Sequence, residues 1–365
     1  PRRLSCLQAH GPPDLGAQTL REPGETSLGS NSGMFTDMLL PTSPRGNLHV
    51  AKTAAALYLD SMNKKFVDLQ VNGYGGTDFN RPNLTATQLH TACELLDRDN
   101  VDAVLATIIT DSIDRMCERI RLIVRYRQFD PLAQRIIKGF HIEGPFINEN
   151  RGFRGAHPVE QIHPANIDEM NRILDTGEGL VRLVTLSPER DEGFKVTSML
   201  AGKGLLVAAG HTDASLDQLK GACDAGLRVF THLGNGCPME LHRHDNIIQR
   251  GLSLAGRLKC GLIADCVHVP MPAIANYIQL AGIDNCFVVT DGTSASGMGP
   301  GNYSLGEWDV VVGEDLVCMA PDKSHLLGSA VTMQRCLENL QNLVGLSRED
   351  ATKLVCDNPA AILGV

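Results

Sequence analysis

From Phe66 onward, apolar runs of strand length alternate with amphipathic segments of helix length, and the alternation repeats eight times. The runs are FVDLQV (66–71), AVLATII (103–109), IIKGFHIEG (136–144), RLVTLS (182–187), LLVAAGH (205–211), VFTHLG (229–234), CGLIADC (260–266) and CFVVTDG (286–292). They are almost uninterruptedly apolar, as strands are when helices cover both faces of a parallel sheet. Between them, ATQLHTACELLDRDN (86–100), SIDRMCERIRLIVRYR (112–127), SLDQLKGACDAG (215–226) and PAIANYIQLAG (272–282) place apolar residues every three or four positions. Eight such units predict a (β/α)8 TIM barrel, with a closing helix near 328–344 and one or two more from SREDATKLVCDNPAAILG. An open doubly wound sheet would give the same alternation, but VNGYGG after the first strand lacks the spacing of a dinucleotide loop. No short-period repeat points to a solenoid.

Residues 1–48 are rich in Pro, Gly and Ser, with few apolar side chains to offset the entropy of ordering, so a poorly ordered segment is expected there and the barrel over 49–365. AKTAAALYLDSMNKK (51–65) predicts a helix ahead of the first strand. The chain start lacks the apolar core of a signal peptide, and no apolar run approaches the roughly 18 residues of a membrane span, so no membrane partner is expected. A net charge of -9 and a pI near 5.7 argue against a nucleic-acid partner; any anionic ligand must be caught by a local cluster. The 11 cysteines form no CxxC pair and sit in apolar stretches, which predicts buried, reduced thiols in a cytoplasmic protein.

Five runs end on a side chain that can bind a metal or move a proton: Glu143, His211, His232, Asp265 with His268 nearby, and Asp291. A barrel gathers strand ends at one rim, where such enzymes carry their chemistry. Catalytic zinc commonly takes three protein ligands from His and carboxylate and leaves one position for water. Glu143, His211 and His232 supply that set from the third, fifth and sixth strands. Each alone is equally a structural residue at a strand end. Asp291, closing the eighth strand, is the candidate general base; an Asp before Gly is also the residue of a loop-capping Asx turn.

HIEGPFIN, GHTDAS, THLGNG, IADCVHVP, VVTDG and LLGSAVTM, in this order from about Phe66 to Val365, resemble the N-acetylglucosamine-6-phosphate deacetylases of the metal-dependent amidohydrolase superfamily. The resemblance implies hydrolysis of the N-acetyl group of a phosphorylated amino sugar, with Glu143, His211 and His232 as ligands of one divalent ion, Zn2+ foremost, and Asp291 as acid and base. It implies that His157 polarises the acetamide carbonyl beside Ala156, that Asn235 and Gly236 grip the sugar phosphate, and that His268 meets a sugar hydroxyl. Leu326, Leu327 and Gly328 would line the acetyl pocket. Arg243 would reach the phosphate in the neighbouring subunit of a homodimer. The cluster His242, Arg243, His244 read alone is equally a solvated loop.

The chain departs from the pattern at several points. Gln70 and Asn72 replace the His-x-His pair many amidohydrolases carry after the first strand, which implies one metal ion. The small β-sandwich of the family is expected to be reduced or absent. Cys266 stands where Gly is usual, implying a crowded pocket or a strained turn, and TDGTSASGMG replaces a small apolar loop. Two other uses of the rim stay open in the sequence: hydrolysis of a cyclic amide or a different N-acyl sugar, and non-catalytic binding of a sugar phosphate. No lysine ends a predicted strand, which counts against a Schiff-base aldolase.

Overall fold

The computed structural model describes residues 64–365. Eight parallel strands follow one another in chain order around one sheet: β1 (Phe66–Val71), β2 (Val101–Ile109), β3 (Ile137–Glu143), β4 (Val181–Leu186), β5 (Leu206–Ala209), β6 (Val229–Phe230), β7 (Lys259–Ile263) and β8 (Cys286–Val289). Each lies on one of the eight apolar runs. The helices used below are α1 (Ala86–Arg98), α2 (Ile113–Gln128), α3 (Leu216–Ala225), α4 (Ile247–Ser253), α5 (Met271–Ala281) and α6 (Met333–Asn339). Their starts are written locally. Thr85 with Gln88, and Ser215 with Gln218, form reciprocal capping boxes that satisfy the first free N–H groups of α1 and α3.

Alternation of side chains along a strand fills the barrel in layers. The lowest is apolar: Val67, Leu69, Ala103, Leu105, Leu183, Ala208, Val229, Ile263, Phe287 and Val289 pack together with Leu363. Two residues further along β3 and β4, and at the end of β6, comes a polar layer. His141 Nε2 lies 2.7 Å from Thr185 Oγ1, which lies 2.7 Å from Thr231 Oγ1. One more step up β3 reaches Glu143.

The barrel shuts where β1 meets β8. Asn72 N–H donates to Gly292 O at 2.7 Å, and Val71 bridges Gly292 in parallel. Below that seam, buried Asp68 accepts bonds from Thr290 Oγ1 at 2.5 Å and from Gln70 N–H at 3.1 Å. Burial raises the Asp68 carboxyl to about 7, against the pull of those hydrogen bonds. A carboxyl raised this far holds a proton in the folded state that the unfolded chain has already lost, so its contribution is full below about pH 4 and falls away as pH rises through 7. Three pKa units correspond to about 4 kcal/mol as an upper order of magnitude. Urea midpoints of Asp68→Asn and the parent should therefore shift in favour of the variant between pH 5 and pH 8. A difference that stays constant with pH would show that Asp68 is ionised throughout.

One element was not legible as structure in the sequence. After β8 the chain builds a three-stranded antiparallel sheet, β9 (Gly301–Leu305), β10 (Trp308–Val312) and β11 (Cys318–Met319). Its apolar side, with Leu305, Val310, Val312 and Cys318, packs on Ile109, Ala295 and Leu327. Buried Asp78 ties it to the barrel, accepting from Ser304 Oγ at 2.9 Å and Gly306 N–H at 2.8 Å. The sheet rises from the end of the barrel where the site lies, so the described part is more than a bare barrel. The expected disorder of 1–48, most of the 51–65 helix, and any sandwich strands from the chain start lie outside the described residues. The ten described cysteines all carry free thiols, eight of them buried. No helix among the described residues is long and apolar enough to cross a membrane.

Candidate active site

Glu143, His211 and His232 converge from three strand ends. Glu143 Oε1 lies 3.2 Å from His211 Nε2 and 3.0 Å from His232 Nε2, and the two imidazole nitrogens are 3.2 Å apart. All three side chains are buried. His211 Nδ1 is 2.8 Å from the Phe153 carbonyl, which only accepts, so Nδ1 carries a proton and a neutral ring turns its Nε2 lone pair toward the carboxylate. A His211 lone pair and a carboxylate 3.2 Å apart are held together by a positive or protonated partner, either a ring proton or a metal ion. The donor set suits a divalent ion: three groups of zinc-ligand type, a backbone acceptor orienting one imidazole, and polar closure below. The ligand atoms of Glu143, His157 and His211 also lie within 4.8 Å of one another, which puts His157 at the edge of the same cluster.

Asp291 sits beside it. Its Oδ1 accepts Asn72 Nδ2 at 2.8 Å and Gln70 Nε2 at 3.1 Å, and the same Gln70 nitrogen donates to Glu143 Oε1 at 2.9 Å. Gln70 and Asn72 are thus amide donors to the two carboxylates, a part the sequence reading did not give them. Asp291 Oδ2 has no hydrogen-bond partner among the described residues. Burial, with the nearby Glu143 charge, lifts the Asp291 carboxyl to about 6. Glu143 goes the other way: burial would raise it, but the rings of His211 and His232 beside it, as imidazolium, hold it well below the usual range. The two carboxyls are pushed apart, which is the pattern of a divided acid–base pair.

Backbone strain gathers here as well. His211, His232 and Asp291 have φ of 51, 30 and 49° and Cys266 has 69°, all in the left-handed region that costs L-residues about 1–2 kcal/mol each. For Cys266 this is the strained turn anticipated at that position, and its side chain is exposed. Two glycines press on the site. A Cβ at Gly236 would lie 2.9 Å from His211 Nδ1, and one at Gly328 would lie 2.5 Å from Thr293 Cγ2 and 3.0 Å from Asp291 O.

The remaining expected positions divide. His157 is buried, 4.5 Å ring to ring from His211, with Nδ1 2.7 Å from Thr110 Oγ1; burial drives its pKa down to about 3, so the ring is neutral. Asn235 follows His232 and has a buried Nδ2 without a partner among the described residues. His268 Nδ1 is 2.6 Å from Asp265 Oδ2. Ala156 is half-buried. Leu326 is half-buried, whereas Leu327 is fully buried in the core under the small sheet, its N–H bound to Cys318 O at 3.1 Å. Arg243 is exposed, three residues before the Asn246 that caps α4, and is not part of the cluster.

No family model matches the chain. The N-acetylglucosamine-6-phosphate deacetylase of Bos taurus is 30% identical over 312 residues, which cover 82% of this chain and 74% of that protein. The chain belongs to the N-acetylglucosamine-6-phosphate deacetylase family. The deacetylase of Lysinibacillus sphaericus is 27% identical over 302 residues, 81% of this chain and 74% of that one. Among solved structures, a mutant N-acetyl-D-glucosamine-6-phosphate deacetylase of Mycobacterium smegmatis in complex with N-acetyl-D-glucosamine-6-phosphate is similar with a TM-score of 0.75 and 30% identity, over 83% of this chain and 77% of that one. The deacetylase of Thermotoga maritima gives 0.72 and 27%, over 82% and 78%. The barrel and the family thus agree with what the sequence motifs implied.

Proposed function

We propose that the chain is an N-acetylglucosamine-6-phosphate deacetylase, a hydrolase of amino-sugar catabolism that gives glucosamine 6-phosphate and acetate. The observation that carries the reading is the convergence of Glu143, His211 and His232 within 3.0–3.2 Å, with the unengaged Oδ2 of Asp291 beside them. In this reading the three hold one divalent ion, Zn2+ foremost because two imidazoles and a carboxylate are a common catalytic zinc set, and Gln70 and Asn72 stand where a second ion's ligands would be. When bound, such an ion acidifies water and polarises a carbonyl.

The chain's own groups divide the remaining work. Asp291 takes the proton of the attacking water at Oδ2 while Gln70 and Asn72 hold Oδ1, and it later returns that proton to the leaving amine. His157, neutral, faces the acetamide oxygen, and it donates there from Nε2 once the Thr110 hydroxyl turns from the Glu143 carbonyl, which it meets at 3.2 Å, to His157 Nδ1 at 2.7 Å. The orphan Asn235 Nδ2 and the backbone at Gly236 meet the sugar phosphate, His268 a hydroxyl, and Ala156, Leu326 and Gly328, with the backbone of Leu327, form the wall near the acetyl group. Exposed Arg243 suits a role in a partner subunit's site, in a cytoplasmic homodimer.

The test is acetate release from metal-stripped protein, with and without added Zn2+, on N-acetylglucosamine 6-phosphate and on the unphosphorylated sugar. Release that needs both metal and phosphate is expected, with Arg243→Ala raising KM about tenfold or more for the phosphorylated sugar. Silence on both sugars after metal is restored would overturn the assignment.

A further inference from the structure

Asp265 and His268 follow β7 at the same end of the barrel as Glu143 and Asp291, and they close on each other. Asp265 Oδ1 accepts the N–H groups of Val267 and His268, each at 2.9 Å, while Oδ2 lies 2.6 Å from His268 Nδ1. The two side chains are only 6% and 8% exposed. Burial would raise the Asp265 carboxyl, but these donors, His268 first, outweigh it and keep it below the usual range. A carboxylate can only accept, so His268 Nδ1 carries the proton. His268 Nε2 has no hydrogen-bond partner among the described residues, and the ring stands at the rim of the barrel that carries Glu143 and Asp291. Cys266, at φ 69°, forms the corner of the turn that Asp265 spans with its three bonds.

We propose that Asp265 is a positioning residue that fixes His268 in the Nδ1-protonated form, so that Nε2 stands in the pocket as an acceptor for one ring hydroxyl of the sugar. This rests on the deacetylase reading above. The pair makes the site sensitive to that hydroxyl, because a sugar without it leaves a nearly buried lone pair unpaired. It also explains why a strained corner persists at Cys266: the carboxylate locks the backbone that carries the histidine.

Asp265→Asn is the decisive variant. The amide keeps an oxygen for the Val267 and His268 N–H groups, but its NH2 would donate to Nδ1 and move the ring proton to Nε2, turning acceptor into donor without changing shape. In the zinc-loaded enzyme, KM for N-acetylglucosamine 6-phosphate is expected to rise about tenfold, the worth of one hydrogen bond, with kcat within about twofold. The parent should lose a similar factor on either the 3-deoxy or the 4-deoxy analogue, and the variant should lose nothing more on that one. Long-range 15N spectra, with His268→Asn to assign the ring, should show Nδ1–H in the parent and Nε2–H in the variant. An equal loss on all three sugars, or an Nε2-protonated ring in the parent, overturns the proposal. A parent that releases no acetate from any of them sinks the deacetylase reading instead, while the spectra still decide the state of His268.

Discussion

Asp291→Asn is expected to keep its metal ion and lose its turnover. The three candidate ligand side chains are untouched, and Asn offers the same Oδ1 to Gln70 and Asn72, so the pocket keeps its shape. What disappears is the ability to take a proton at Oδ2 and give it back. Removing a general base typically costs 10²–10⁴-fold, about 3–5 kcal/mol of barrier, and here one group serves both proton transfers. The fall should appear in kcat with KM little changed, and metal content by elemental analysis should stay near one equivalent. The pH profile gives an independent reading. Burial and the Glu143 charge put Asp291 at about 6 without a cation; a divalent ion beside it favours the carboxylate, so the acid limb of kcat/KM should lie below 6 and vanish in the variant. Activity retained by Asp291→Asn would remove Asp291 from the mechanism.

Glu143→Gln addresses the ion rather than the proton. The change keeps volume but removes the only negative charge among the three converging groups, and with it the attraction that draws a dication between two neutral imidazoles. Metal content after gel filtration should drop well below one equivalent, and acetate release should fall at least 10²-fold, in proportion to metal lost. High added zinc should restore part of it. A variant that keeps a full equivalent and full activity would show that the ion is held elsewhere, with His157 as the first place to look, since it lies within ligand reach of Glu143 and His211.

The barrel was legible because its strands are buried on both faces and its helices on one, so the two periodicities are clean in the sequence. The convergence of Glu143, His211 and His232 was legible for a related reason. Strand ends in a barrel share a rim, and Glu143, His211 and His232 can be placed together without knowing any distance. Gln70 and Asn72 were seen only as missing metal ligands. That they donate to Asp291 depends on β1 meeting β8, a contact between residues about 220 positions apart that no local pattern encodes. The sheet after β8 was passed over because its strands are short and half-exposed, although Trp308–Val312 carries the β-branched signal that could have found it. Leu327 was read by resemblance as pocket wall, and its burial under that sheet could not be foreseen while the sheet was unseen.

The seam between β1 and β8 has a consequence for how the protein is made. Glu143, His211 and His232 stand at the ends of the third, fifth and sixth strands, so the candidate ligands all precede in the chain the strand that carries the base. Asp291 is fixed only when the eighth strand docks on the first and the amides of Gln70 and Asn72 reach it, the slowest kind of contact for a folding chain to form. In the proposed reading, metal capture and chemical competence are therefore separable steps of assembly. A partly folded barrel that gathers only those three groups would carry the candidate metal site without its base, which makes turnover, rather than metal content, the measure of a correctly completed molecule.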